Sequence, residues 1–246
     1  MPVQRTIRVY DSAEALYQAA AALVSEQLQT AINERGRALV AFSGGSLTAY
    51  LYPLLAGTPW REQIEWPLVS VLFADERYVP FDDAENTYRA TRQTLLDHVP
   101  VQAEQVFPVP TYYREPEQAA AIYHWQTAAL LAAHGGKFDM VLLGIGPDGH
   151  TASLFPHHPA LATPADKLAV VVRDAPKPPP VRLSLTPAAF NAARSIVFIA
   201  SGESKATAVA AALTEPGNPH AQPTRLIQPE GGSLYWLVDR AAGRLL

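Results

Sequence analysis

In the stretch GIGPDGHTASLFP, Gly144 to Pro156, a carboxylate, Asp148, stands two residues before an imidazole, His150. Histidine titrates near neutral pH, so it can take a proton from water and later give it back, and a neighbouring carboxylate can hold its ring in one orientation. The apolar run Asp139 to Leu143 before this stretch reads as a buried strand entering a tight turn, and the glycines let backbone approach a ligand closely. His150 is one of 7 histidines, and a loop histidine is more often structural or exposed than catalytic. Asp148 equally suits a turn in which its side chain bonds its own backbone. Placement after Gly-Pro-Asp-Gly at a strand end is what raises the pair above that background.

Four further groups carry charge or free backbone donors. Ser43, Gly44, Gly45 and Ser46 lie between a strand and a helix start, where open N–H groups and the positive end of the helix dipole suit a phosphate. The spacing matches neither the P-loop nor the dinucleotide fingerprint, and alone it is equally well a tight turn. DERYVP, Asp75 to Pro80, reads as a polar loop whose Arg77 gains interest only beside an anion, which a guanidinium grips as a fork. Arg182, after the bend containing Pro176, Pro178, Pro179 and Pro180, suits a plain edge-strand charge or an anion ligand. Lys205, just inside the helix that follows Ser201-Gly202, carries almost no weight by itself. No His/Asp/Glu spacing resembles a metal site, His157-His158 is too isolated to argue one, and the serine elbow G-x-S-x-G is absent.

These residues need a scaffold, and the chain supplies an alternation of strands and helices. Strands are expected at Thr6–Tyr10, Ala38–Phe42, Leu68–Ala74, from Phe138, at Leu168–Arg173, Val181–Leu185, Ser195–Ala200 and Ser233–Val238. Between them come helices over Ala13–Arg35, directly after SGGS, after the acidic loop, over Glu115–His134, from Thr186-Pro187 and after SGESK. The first helix is expected to be capped at Asp11 and Ser12, with Glu14 as capping-box partner of Asp11. The pattern predicts a single α/β domain over residues 1–246, Rossmann-like, with a largely parallel sheet and helices on both faces. In such sheets ligands bind beyond the carboxyl ends of the strands. Ser43–Ser46, Asp75–Arg77, Gly144–His150 and Ser201–Lys205 all belong to that end, so residues remote in sequence should converge.

Composition narrows the function classes. The 246 residues are 48% hydrophobic and 17% charged, with a formal net charge of −4 and no cysteine. Disulfides, thiol catalysis and cysteine-ligated metal are excluded, and no global basic field favours nucleic acid or an anionic membrane. The N-terminal MPVQRTIRVYDS lacks the apolar core of a signal peptide, and no apolar run is long enough for a bilayer span. The expectation is a soluble cytoplasmic protein.

Taken in order, SGGS, DERYVP, GIGPDGHTASLFP, PPPVRLSLT and SGESK, with LYWLVD near the end, resemble the 6-phosphogluconolactonase family, whose Rossmann-like fold is shared with glucosamine-6-phosphate deaminases. The resemblance spans nearly the whole chain, and GPDGHTASLFP is its most specific part. Two departures stand out. Leu47-Thr48 replaces the family's Thr-Pro after SGGS, and Asn86-Thr87-Tyr88 replaces its Ser-Asn-Tyr; neither removes an ionisable group. The resemblance implies hydrolysis of 6-phosphoglucono-δ-lactone, with His150 as general base and Asp148 and Asp75 orienting the imidazole or the water. It further implies that Ser43, Gly44, Gly45, Ser46, Arg77, Arg182 and Lys205 hold the phosphate and the developing oxyanion. It implies no metal or organic cofactor, because a lactone is already electrophilic. The expected partner is a small phosphorylated sugar lactone, with no nucleic acid and no membrane, and the expected state is a monomer or homodimer. Two alternatives stay open: a sugar-phosphate isomerase or deaminase, and a non-catalytic sugar-phosphate-binding domain. The segment Thr151 to Pro156 contains no carboxylate of the kind that assists ring opening in the deaminases, which favours the lactonase.

Overall fold

In a computed structural model, which describes residues 4–214 and 217–246, the chain forms a seven-stranded parallel sheet and a three-stranded antiparallel one. The strands are β1 (Gln4–Tyr10), β2 (Ala38–Phe42), β3 (Val69–Phe73), β4 (Asp75–Arg77), β5 (Val106–Phe107), β6 (Met140–Leu143), β7 (Ala169–Val172), β8 (Arg182–Leu185), β9 (Ser195–Ala200) and β10 (Ser233–Asp239). The large sheet has the order β1-β10-β9-β6-β2-β3-β5, and the small one β4-β8-β7. The helices are α1 (Ala13–Arg35), α2 (Tyr52–Leu55), α3 (Trp60–Gln63), α4 (Thr87–Thr94), α5 (Pro116–Ala133), α6 (Pro187–Asn191) and α7 (Ala206–Leu213).

From β2 the chain steps through β3 to β5 at one edge, then returns to β6 on the other side of β2 and steps outward through β9 to β10. Right-handed crossovers running in opposite directions put their helices on opposite faces of the sheet. The contacts among α1, α2, α3 and α4 along one face agree with this. Because both faces are covered, the central strands read as unbroken apolar runs: all of Ala38–Phe42 and of Met140–Leu143 is buried. One hydrophobic cluster reaches from Leu16 to Ala242. Trp66 is inside it, whereas Trp125 is exposed.

Local chemistry sets the boundaries. Ser12, and not Asp11 with Glu14, caps α1: its side chain accepts from the Ala15 N–H. Gly36, at φ 73°, ends that helix in the left-handed conformation glycine adopts without penalty. Thr186 caps α6 with Pro187 at its first position, as expected. The segment after SGGS is not a plain α-helix: Leu47–Leu51 forms a π turn before the single turn of α2. Lys205 likewise ends a 3₁₀ turn, Glu203–Lys205, that precedes α7.

The small sheet brings two corrections. Asp75–Arg77 is a strand and not a loop, and Arg182 begins β8, the central strand of that sheet and not an edge. The chain passes from β3 to β4 through Ala74, whose carbonyl accepts from the Leu185 N–H. Side chains alternate across a strand, so Asp75 and Arg77 share one face, opposite Ser184 and Arg182 in the antiparallel register. Glu76 faces the other way and is fully buried. Its carboxylate accepts from the N–H groups of Arg77, Thr87 and Tyr88, fixing the start of α4 to β4.

Burial pushes the Glu76 carboxyl up to about 7, against the three N–H bonds that favour its ionised form. Between its ordinary 4.5 and about 7 the folded chain therefore keeps a proton that the unfolded chain has released, so stability falls as the pH rises through that window. In urea unfolding, wild type should lose roughly 3 kcal/mol more between pH 4.5 and pH 7.5 than Glu76→Gln does. Equal slopes for the two proteins would contradict this.

Candidate active site

The adjacent strands β9, β6 and β2 end in loops whose residues carry charge, β3 runs on into β4, and these four segments enclose one cleft. Its centre lies between β2 and β6, where the strand order reverses, the position at which an open α/β sheet leaves a crevice. Ser43, Gly44, Gly45, Ser46, Asp75, Arg77, His150, Arg182 and Lys205 all line it. Asp148 stands at its rim, bonded to His150.

His150 and Asp148 form a dyad. The imidazole Nδ1 lies 2.5 Å from Asp148 Oδ1, while Nε2 has no bonding partner among the described residues. With Nδ1–H donating to the carboxylate, the neutral ring presents Nε2 as its lone-pair nitrogen. Burial would raise the Asp148 carboxyl, but the His150 hydrogen bond, the charge of His150 and that of Lys177 together hold it at about 2. Lys177 Nζ stands 3.9 Å from Asp148 Oδ1. The ring of His150 packs on Phe155 at 4.8 Å between centroids, and the Arg182 guanidinium lies 5.6 Å from the same Phe155 ring. Buried Phe155 thus spaces the base from the cation.

Tight turns make the dyad possible. The Gly146 N–H donates to the His150 carbonyl, and the Gly149 N–H to the Gly146 carbonyl. A Cβ on Gly146 would overlap the His150 ring and the Asp148 carboxylate. Just beyond, the chain reverses over Thr151–Leu154, with Ala152 at φ 49°, an uncommon region for a residue that has a Cβ.

Donors and cations fill the opposite wall. The N–H groups of Gly44 and Gly45 bond no acceptor among the described residues. Gly44 sits so close to Thr87 that a Cβ would come within 2.9 Å of that side chain. Ser43 lines the cleft, but its hydroxyl donates to the Leu142 carbonyl and its own carbonyl accepts from Tyr52, so it ties β2 to β6. Arg77 donates to the Glu85 carbonyl. Arg182 is held by the carbonyls of Lys177, Pro178 and Pro179, which lock the proline-rich bend against β8. Burial lowers the pKa of Lys205, as does the charge of Lys177, while Asp148 opposes both. Arg77, Arg182, Lys205 and Lys177 outnumber the carboxylates of Asp75 and Asp148, giving a local positive field in a chain of net charge −4.

Sequence reasoning passed over several contributors. Asp239, at the end of β10, accepts from the Ser201 hydroxyl and from the N–H groups of Gly202 and Ala242, and so holds the turn that carries Lys205. Lys177, Phe155, Gly146 and Glu76 were also passed over as site or support residues. Glu76 lies inside DERYVP and Asp239 ends LYWLVD, but the partners of each come from other parts of the chain, so neither block shows what its carboxylate holds. Among the described residues no group of acidic or histidine side chains is arranged to hold a metal ion, and no helix is long and apolar enough to cross a membrane.

The family model described as Glucosamine-6-phosphate isomerases/6-phosphogluconolactonase matches residues 11–236. The chain belongs to this family. It is 39% identical over 234 residues to the 6-phosphogluconolactonase of Synechocystis, covering 94% of each chain. With the human 6-phosphogluconolactonase it shares 38% identity over 250 residues, covering 100% of this chain and 95% of the other. The solved structure of 6-phosphogluconolactonase from Trypanosoma brucei superposes with a TM-score of 0.86 at 28% identity, covering 99% of both chains. A monomeric glucosamine-6-phosphate deaminase at 20% identity and a TM-score of 0.80 shares the fold.

Proposed function

We propose that this chain is a 6-phosphogluconolactonase, which hydrolyses 6-phosphoglucono-δ-lactone to 6-phosphogluconate in the oxidative pentose phosphate pathway. The observation that carries the reading is the Asp148–His150 dyad, its Nε2 free, opening on the same cleft as the cations Arg77, Arg182 and Lys205. On this reading Nε2 of His150 takes a proton from water as the water oxygen bonds to the lactone carbonyl carbon. Negative charge gathers on the carbonyl oxygen, where the open N–H groups of Gly44 and Gly45 suit it. As the tetrahedral intermediate collapses, the bond from that carbon to the ring oxygen breaks, and the imidazolium returns its proton to the departing oxygen. The product is an open-chain acid with a free hydroxyl. Asp148 stabilises the imidazolium between the two transfers, in the manner of the carboxylate in a hydrolase triad.

The phosphate belongs with the cations, and a charge-assisted hydrogen bond of this sort contributes about 1.5–3 kcal/mol. Lys205→Met should therefore raise KM by roughly one to two orders of magnitude while the variant stays folded. An unchanged KM would remove Lys205 from the phosphate site. A water-soluble sugar phosphate as substrate suits a cytoplasmic enzyme, acting as monomer or homodimer without nucleic-acid or membrane partners.

The reading is tested by offering the protein freshly made 6-phosphoglucono-δ-lactone and, separately, glucosamine 6-phosphate. Acid release from the first above the spontaneous rate, with no ammonia from the second, is the expected result. Ammonia release would select the deaminase, and binding without either product would select a sugar-phosphate-binding domain.

A further inference from the structure

Resting on the lactonase reading, we infer that Ser153 is a positioning residue that fixes Asp75 so that one carboxylate oxygen takes a hydroxyl of the substrate. Asp75 lines the cleft, and Ser153 is fully buried behind it. The Ser153 hydroxyl donates to Asp75 Oδ2 at 2.7 Å. Asp75 Oδ1 has no hydrogen-bond partner and no cation within ion-pair distance among the described residues.

Donor and acceptor chemistry orders this cluster. The Ser184 hydroxyl donates its one hydrogen to the Leu185 carbonyl at 2.9 Å, so toward Ser153 it acts as an acceptor and receives that residue's N–H at 3.4 Å. The Ser153 hydroxyl hydrogen goes to Asp75, because an ionised carboxylate oxygen can only accept. The two-strand register places Ser184 directly opposite Asp75, so the carboxylate is held both through its backbone pairing and through its side chain. A carboxylate tied at one oxygen has few rotamers left, and its free oxygen keeps a fixed place in the cleft.

Asp75 and Asp148 are thereby given different work. The His150 ring already bonds Asp148, and no bond joins it to Asp75. A carboxylate oxygen accepts hydrogen bonds only and repels phosphate. At the edge of a cationic cleft it therefore selects a hydroxyl-bearing part of the sugar and turns the phosphate toward Arg77, Arg182 and Lys205. Asp75 contributes to orientation and binding, and Ser153 acts through it.

The test compares wild type with Ser153→Ala, Asp75→Asn and the double variant, measuring kcat, KM for the lactone and inhibition by inorganic phosphate. Expected are a KM about ten-fold higher for Ser153→Ala, a kcat within about three-fold of wild type, and an unchanged inhibition constant for phosphate. Asp75→Asn, which keeps an oxygen for Ser153 but can turn an amide N–H into the cleft, should raise KM at least as much. The double variant should be no worse than Asp75→Asn alone, because the two residues form one unit. Additive losses in the double variant would overturn the inference. So would a fall in kcat at constant KM, or phosphate inhibition weakened in step with KM, which would indicate a collapsed cleft. A wild type that does not hydrolyse the lactone defeats the functional reading itself, whereas a hydrolysing wild type with kinetically silent variants defeats only the role of Ser153.

Discussion

Gly146→Ala should fold with a melting temperature close to that of wild type and lose kcat/KM by about two to four orders of magnitude. The reason is space. The His150 ring and the Asp148 carboxylate close directly over the Gly146 Cα, and an added Cβ would occupy their position. The backbone cannot easily yield, because the Gly146 N–H and carbonyl are both used inside the turn, to His150 and from Gly149. The imidazole must then rotate away, and proton transfer fails steeply when the base leaves hydrogen-bond reach of its water. Steady-state kinetics beside thermal unfolding separates this from a folding defect. Retained activity in the alanine variant would mean that the dyad geometry is not the one the reaction uses.

Asp148→Asn should lower kcat by a factor on the order of 10² to 10⁴ with little change in KM. The amide removes the charge that stabilises the imidazolium, and with its NH₂ turned toward the ring it draws the imidazole hydrogen onto Nε2, the nitrogen that should be free. The pH dependence has a defined sign. With its carboxyl depressed from 3.8 to about 2, Asp148 contributes stability that is present above pH 3.8 and lost as the pH falls through about 2. Loss of activity on acidifying from neutrality to pH 4 therefore does not come from protonation of Asp148. A KM that rises while kcat stays constant would place Asp148 in substrate binding instead.

Much of this architecture was legible in the sequence. The apolar runs Ala38–Phe42 and 196–200, the second opened by Ser195, made those strands legible to the residue, since buried parallel strands need no polar face. The convergence of Ser43–Ser46, Asp75–Arg77, Gly144–His150 and Ser201–Lys205 followed from the rule that crevices open beyond strand carboxyl ends. Asp75–Arg77 reads as loop from sequence because three polar residues carry too short an alternation to signal a strand, yet it forms β4. Its partner β8 lies over a hundred residues away, so only tertiary pairing reveals it. The π turn at Leu47–Leu51 has no sequence signature either. Ser43 lines the cleft as its place in SGGS implies, and its hydroxyl bonds the Leu142 carbonyl, an interaction between neighbouring strands that local spacing does not encode.

The most direct test of the account is hydrolysis of freshly prepared 6-phosphoglucono-δ-lactone by wild type and by His150→Ala, each corrected for the spontaneous rate. Wild type should accelerate hydrolysis clearly, and the folded variant should run close to the spontaneous rate. Equal acceleration by both proteins would contradict this, since the free Nε2 of His150 would then not be the base.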